Sequence, residues 1–280
     1  MSTRTVPTSP IGPELRLLFG AFAVLAVGAF FLLFVLSKQT DDWFSWTIKP
    51  ALTAAFLGAS YLAALVLFAW TAARGDWASA QATLVPVSVI AVLLLIATII
   101  HDDRFHDDLF GWFWKTAYVI APVAIAAAVA LQLRRPADAG RRARVPLPSA
   151  LRGLLTVQGA VMLAVGLYLF AAPESADVLW PWNLTPLTAR AIGAFVGGFG
   201  ASALHAAIVD DLPSFEGAAL AYAVLGALEL VALARYTGDL TRADLDSLLY
   251  VGFLVTVLLA GLAGWLGARR LSASAKPASA

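Results

Sequence analysis

The sequence predicts an all-α integral membrane protein of eight transmembrane helices, built as two tandem four-helix repeats. Three observations predict it: a very apolar composition, eight apolar blocks long enough to cross a bilayer, and a motif that recurs half a chain apart. Of the 280 residues, 60% are hydrophobic and 13% are charged, whereas a soluble domain carries about 25% charged residues. A soluble protein of this composition could not cover its surface with polar groups.

Eight blocks of roughly 20 apolar residues each match a hydrocarbon core about 30 Å thick. Inside lipid every backbone polar group needs an internal partner, which a helix supplies. The first block is too long for a signal peptide, so we expect it to be retained. The predicted spans are Arg16–Leu36, Pro50–Ala72, Thr83–Ile100, Gly111–Leu133, Leu151–Ala171, Thr188–Val209, Phe215–Tyr236 and Leu248–Ala268.

The stretch between the fourth and fifth spans is the one predicted linker, because it is basic, contains Pro and lacks apolar periodicity. The predicted organisation follows from it. It comprises an N-terminal tail (1–15), a first four-helix repeat (16–133), the basic linker (134–150), a second four-helix repeat (151–268) and a C-terminal tail (269–280).

Lys and Arg concentrate in the cytoplasmic loops of membrane proteins, and this bias predicts the orientation. With the N-terminus inside, the inner segments hold 12 Lys and Arg and the outer segments hold 7, whereas 11 acidic residues fall outside. Both tails and the linker are therefore predicted to be cytoplasmic. Frequent Ala, with Arg favoured over Lys, indicates a bacterial chain and hence the inner membrane. The Arg-rich linker either binds anionic lipid or only fixes the topology.

A repeated motif predicts the internal symmetry. Trp46-Thr-Ile-Lys-Pro50 matches Trp182-Asn-Leu-Thr-Pro186, and a Leu-Thr-Ala-x-x-x-Gly-Ala pattern follows each at an offset near 136 residues. Each unit contains an even number of spans, so both units insert with the same orientation. The halves should then be related by a pseudo-two-fold axis along the membrane normal.

The stretch Trp180-Pro-Trp-Asn-Leu-Thr-Pro-Leu-Thr-Ala-Arg190 resembles a motif of a group of uncharacterised bacterial multi-span membrane proteins. His101-Asp-Asp-Arg-Phe105 is similar to a second recurrent stretch of that group. The resemblance implies a multi-span membrane protein and carries no known activity with it, so no functional residue is transferred.

Four tryptophans near these motifs, Trp43, Trp46, Trp180 and Trp182, are predicted interface anchors, because Trp prefers the membrane–water boundary. Thr185 is a plausible N-cap in front of Pro186, which suits the first helical position. The alternative is that the rings line an outward-facing cavity.

Glu229 is the most informative single residue, because it lies inside an apolar run of the seventh span. An ionisable group there costs at least about 2.5 kcal/mol and needs a partner or water. Tyr222 and Tyr236 share its helical face, and Arg190 is the nearest candidate partner in depth. Glu229 is therefore either a binding or proton-coupling carboxylate or one member of a structural Glu–Arg pair.

His101, Asp102 and His106 are weak candidates for a metal site in an outer loop, where a solvated acidic loop is the default interpretation. His205 is predicted to be a core or interfacial histidine and not a haem ligand. The chain has no Cys and shows no phosphate-binding Gly loop or Ser-His-Asp set, so no cofactor is expected.

Three functional hypotheses fit these patterns. The first is small-solute or ion binding and transport between the two repeats, with Glu229, Arg190, Tyr222 and Tyr236 as candidate binding residues. The alternative is a non-enzymatic structural or assembly subunit with a protein partner. An enzyme acting at the outer face comes third. The lipid bilayer is the expected environment, and no nucleic-acid partner is expected.

Overall fold

The computed structural model describes residues 5–135, 140–241 and 244–274. Within these residues, eight helices are long and apolar enough to cross a membrane, which confirms the predicted number of spans. They are α1 (Pro13–Phe30), α2 (Ala51–Arg74), α3 (Trp77–Ile100), α4 (Leu109–Leu133), α5 (Ser149–Ala171), α6 (Pro186–Val209), α7 (Leu212–Arg235) and α8 (Asp244–Ser274). A π-helical turn (Phe31–Val35) extends α1, and a short helix (Thr40–Trp43) follows it.

The helix boundaries follow local capping signals. α3 begins at Trp77, ahead of the predicted Thr83, because the Asp76 carboxylate accepts a hydrogen bond from the Ser79 N–H and caps the helix. α6 begins at Pro186 behind a Thr185 cap, as the sequence predicts. α8 continues to Ser274, into the segment predicted as a tail.

The described residues of the predicted linker pack against the rest of the protein. Its residues Arg141–Ala143 form a strand, β2, that pairs antiparallel with strand β1 (Thr5–Pro7) from the predicted N-terminal tail. Further along, the carbonyl of Val145 accepts a hydrogen bond from the N–H of Leu212. We call this end of the bundle the linker side and the opposite end the far side. Residues 1–4, 136–139 and 275–280 of the predicted tails and linker lie outside the described residues.

Four helices, α2, α3, α6 and α7, form the centre of the bundle, and the other four surround them. The most extensive contacts join α5 to α6 and α7 to α8, followed by α3–α6, α1–α2 and α2–α7. Of these, α3–α6 and α2–α7 join the two halves, and α3 contacts α4 less extensively. The outer helices expose large apolar side chains, which fits contact with lipid. Examples are Leu17, Val24, Val123, Val157 and Leu248.

Glycines bring neighbouring helices into backbone contact. A Cβ atom on Gly166 of α5 would lie 2.4 Å from the Gly197 nitrogen of α6, and one on Gly193 would lie 2.6 Å from the Gly166 oxygen. On the other side of the bundle, a Cβ on Gly226 of α7 would lie 2.7 Å from the Leu258 nitrogen of α8. Small residues allow such close packing between membrane helices.

Candidate functional site

Glu229 lies on the central helix α7, about 9 Å along the axis from its far-side end at Arg235 at 1.5 Å per residue. Its side chain is buried, with 1% of the residue exposed. The Oε1 atom has no hydrogen-bond partner among the described residues. Tyr250, on the adjacent helix α8, is close enough to interact with it electrostatically. Among the described residues, therefore, no cation forms an ion pair with this buried carboxyl group.

Tyr250 also belongs to an aromatic cluster with Trp180 and Trp182. The ring centroids are 5.1 Å apart for the two tryptophans, and Tyr250 lies 5.6 Å from Trp180 and 5.7 Å from Trp182. Phe56 of α2 packs against both indoles, so the cluster spans the contact between the halves. The Trp180 Nε1 and the Tyr250 hydroxyl are buried and, like Glu229 Oε1, have no hydrogen-bond partner among the described residues.

The other tyrosines predicted to share a face with Glu229 have partners of their own. The Tyr222 hydroxyl donates to the Phe199 carbonyl at 3.0 Å. The Tyr236 hydroxyl hydrogen-bonds with Ser37 at the far side. Neither hydroxyl is directed to Glu229, because each is held by a different neighbouring element.

Arg190 does not pair with Glu229. It is the fifth residue of α6, and its guanidinium donates a 2.6 Å hydrogen bond to Nε2 of His101 at the end of α3. His101 accepts this bond, so its ring is neutral there. Burial lowers the pKa of His101, and the nearby charge of Arg190 lowers it further. The far side therefore contains an Arg–His contact between the halves where the sequence predicts an Arg–Glu pair.

The weak metal candidates do not converge. Asp102 pairs with Lys115 at 2.6 Å, and His106 contacts the Phe44 carbonyl and the Thr47 hydroxyl. His101 is held by Arg190. Across the part of the chain that the structure describes, no group of three or more His, Cys, Asp or Glu residues is placed to hold a metal ion.

Three of the four predicted interface anchors are buried inside the protein. Trp46, Trp180 and Trp182 are 3%, 4% and 1% exposed, and each packs against other aromatic rings. Trp43 is 49% exposed, so of these four rings it is the one that can reach the membrane boundary. The buried rings lie where the loops fold over the bundle, and they pack against neighbouring rings there.

The linker side contains a buried ionic cluster that the sequence-based expectations missed. Asp211 accepts hydrogen bonds from Arg142, Ser214 and the Val145 N–H. Asp210 pairs with Arg144 and accepts the Leu147 N–H. The signal was present in the sequence, because Asp at the end of one apolar block with Ser three residues later is an N-cap signature.

Electrostatics at this cluster favour the charged form of Asp211. Burial raises the pKa of Asp211, but the hydrogen bonds from Arg142, Ser214 and Val145 outweigh it and hold the pKa below its usual value. A surface pocket next to the cluster is lined by His205, and another on the far side by Lys38 and Lys49. Neither pocket includes Glu229 or Tyr250.

No protein-family model matches the chain, and neither a curated protein nor a solved structure is found to be similar to it. The geometry of the site therefore carries the functional argument. A buried carboxyl group beside unpaired hydroxyl and indole groups can bind a proton, a cation or a small polar molecule. Each of these would supply the hydrogen bonds or the positive charge that these buried groups lack.

Proposed function

We propose that this protein binds a small solute or an ion between its two halves and moves it across the membrane, with Glu229 at the site. The observation that carries the proposal is the burial of Glu229 without a partner among the described residues. An ionisable group at such a depth costs at least about 2.5 kcal/mol and marks solute, ion or proton pathways in membrane proteins.

We propose further that the halves are tandem repeats related by a pseudo-two-fold axis along the membrane normal. Aromatic packing supports this relation. Trp180, Trp182 and Tyr250 form one three-ring cluster. The residues 136 positions earlier form another, with ring centroids 4.7 to 5.5 Å apart. They are Phe44, Trp46 and Trp114.

Contacts between the halves support the same axis. Exchanging the first and second halves turns the α3–α6 contact into the α7–α2 contact, and both are extensive. At the far side, His101 after α3 meets Arg190 at the start of α6. Correspondingly, Asp239 after α7 accepts the Leu52 N–H at the start of α2.

The linker side supports the repeat with a matched pair of hydrogen bonds. The Trp77 N–H, at the start of α3, donates to the Ser9 carbonyl, and the Leu212 N–H, at the start of α7, donates to the Val145 carbonyl. Each repeat on this proposal begins ahead of its first helix, with an extended segment that packs onto the loop between its second and third helices.

The proposed site belongs to the second half alone. The residue 136 positions before Glu229 is Leu93. In the first cluster, the Trp114 indole N–H donates to the Thr98 hydroxyl at 3.1 Å, so it is satisfied. The first cluster also contains an unpaired indole, Trp46, but it has Leu93 where the second half has the carboxyl group of Glu229. This difference is expected if one half keeps a structural role and the other carries the site.

We propose the bacterial inner membrane as the location, with both termini and the linker in the cytoplasm, from the distribution of Lys and Arg. Within the linker, Arg142 and Arg144 face buried carboxylates. Contact with anionic lipid is therefore proposed for the exposed Arg134 and Arg141.

The test is transport by purified protein in proteoliposomes on a solid-supported membrane, challenged with protons, alkali cations, ammonium compounds and charged amino acids. Radiolabelled sugars and neutral amino acids extend the panel. We expect at least one of these to produce a signal that Glu229→Gln abolishes and Glu174→Gln, an exposed control on the far side, retains. An equal signal in Glu229→Gln would reject the proposal.

The close packing around the site favours a second candidate, a structural or assembly subunit. The glycine contacts of α5 with α6 and of α7 with α8 leave backbones touching. On this alternative, Glu229→Gln is silent in every transport assay, and a partner protein co-purifies in mild detergent. Repeated purification of the protein alone would argue against it.

A further inference from the structure

Of the buried polar atoms without partners among the described residues, three belong to Glu229 and the residues that lead to it from the far side: Glu229 Oε1, Tyr250 Oη and Trp180 Nε1. Most buried polar groups in proteins are hydrogen-bonded, and groups that are not commonly contact a bound water or ion. The three belong to residues on different elements, so one local feature of a single helix does not explain them together.

Of these residues, Trp180 lies in a far-side loop, and Tyr250 and Glu229 lie on helices inside the bundle. Trp180 follows the 3₁₀ segment Pro173–Val178 in the loop between α5 and α6. Its ring lies 5.6 Å from that of Tyr250, and Tyr250 in turn interacts electrostatically with Glu229. The order from loop to interior is therefore Trp180, Tyr250, Glu229.

No described cation neutralises Glu229. The helices that pack against α7 are α2, α3, α6 and α8. None of their described residues forms an ion pair or a hydrogen bond with Glu229 Oε1, and Tyr250 is a titratable neighbour. Arg190, the nearest cation predicted from sequence, is held by His101. A carboxyl group in these surroundings reaches neutrality by binding a proton.

We propose that Glu229 is a proton-binding site that exchanges protons with the far side through water held by Tyr250 and Trp180. The inference rests on the proposed function, because it names the proton as the ion of that site. The step is a proton transfer and moves no electrons. A hydronium ion in the route gives its proton to the Glu229 carboxylate, leaving water and a neutral carboxylic acid, and release reverses this.

The test is infrared difference spectroscopy of the protein in lipid, before and after transfer into D₂O. We expect a carboxylic-acid C=O band at neutral pH that shifts in D₂O and is missing from Glu229→Gln. Glu174→Gln should leave the band unchanged. Tyr250→Phe keeps the ring and removes the hydroxyl, so the band should persist while its exchange slows by about tenfold, the effect of losing one hydrogen-bonded step.

A spectrum in which Glu229→Gln removes no carboxylic-acid band would overturn the inference, as would a band that never exchanges in D₂O. Normal exchange in Tyr250→Phe would overturn the proposed route. These failures are distinct from failure of the proposed function. If Glu229 is ionised while solute-evoked currents still depend on it, the proposed transport is retained and proton binding is rejected. If the band exchanges but Glu229→Gln transports normally, the proposed role of Glu229 in transport is rejected.

Discussion

The indole N–H of Trp182 donates a 2.8 Å hydrogen bond to the hydroxyl of Thr53, and both residues are buried. Trp182 precedes α6 in the second half, and Thr53 lies in the first turn of α2 in the first half. The bond therefore joins the two halves at the aromatic cluster of Trp180, Trp182 and Tyr250. Its first-half counterpart Trp46 is equally buried, but its Nε1 has no partner among the described residues.

This difference makes a matched pair of variants. Trp182→Phe and Trp46→Phe each remove a similar area of buried ring, but only the first breaks a hydrogen bond. We expect Trp182→Phe to cost about 1 kcal/mol more in the free energy of unfolding, the usual contribution of one hydrogen bond. Reversible unfolding in mixed micelles measures it. Equal losses in the two variants would show that the bond contributes nothing.

Backbone contact at Gly166 predicts a second difference in stability, between two glycine variants of the same helix. A methyl group there would overlap the Gly197 backbone of α6, so Gly166→Ala should destabilise the protein by about 1–3 kcal/mol. Gly153 lies on the same helix with nothing within 4 Å of the added carbon. Gly153→Ala should therefore be neutral, or stabilising by up to about 1 kcal/mol. Thermal unfolding of both variants tests this, and a tolerated Gly166→Ala would contradict the close crossing.

The buried ion pair on the linker side predicts a third difference in stability between two variants. Asp211→Asn leaves Arg142 without its counter-charge and weakens the cap of α7, so we expect a loss of about 3 kcal/mol or more. Asp103→Asn is the control, because that side chain is 71% exposed and pairs only with an exposed Arg104 among the described residues. Its loss should stay below about 1 kcal/mol. Similar losses for both would contradict a buried cluster.

The contact between Arg190 and His101 predicts a dependence on pH. The folded-state pKa of His101 lies below the unfolded value of about 6.5. The folded protein therefore binds fewer protons than the unfolded chain just below that pH. The contribution of His101 to the free energy of unfolding is fully present above about pH 6.5. It declines as the pH falls from the unfolded-state pKa towards the folded-state pKa. Asp103 and Glu174 oppose the shift, and Arg104 adds to it.

His101→Gln tests this dependence, because the amide oxygen can accept the bond from Arg190 without titrating. The unfolding temperature of the variant should fall less than that of the wild type between pH 7.5 and pH 5.5. Parallel falls in the two proteins would mean that His101 does not titrate in this range.

Composition and block length were enough to predict the eight spans, because crossing a bilayer sets the length and apolar character of a helix directly. Boundaries were harder. α3 begins at Trp77 and not at Thr83, because the cap formed by Asp76 and Ser79 outweighs the hydropathy of the following turn. In the linker, side-chain partners fixed the structure, with Arg142 and Arg144 held by Asp211 and Asp210.

The candidate site was predictable only in part. Glu229 stood out because a carboxyl group in an apolar run is costly. Its neighbours were not predictable, because depth along a helix says how far into the membrane a residue lies and not which way it points. Arg190 has a suitable depth for Glu229 but faces the end of α3. Tyr250, which does lie near Glu229, was missed because it is on another helix.

The central claim, that Glu229 marks a site open to water during function, is tested most directly by thiol labelling in proteoliposomes. The chain has no Cys, so single substitutions carry the only thiol. Glu229→Cys should react with a small hydrophilic methanethiosulfonate reagent, and Leu93→Cys, at the equivalent position of the first half, should not. If both thiols stay equally protected while the exposed Gly238→Cys on the far side reacts, the interior at Glu229 is dry and the claim is contradicted.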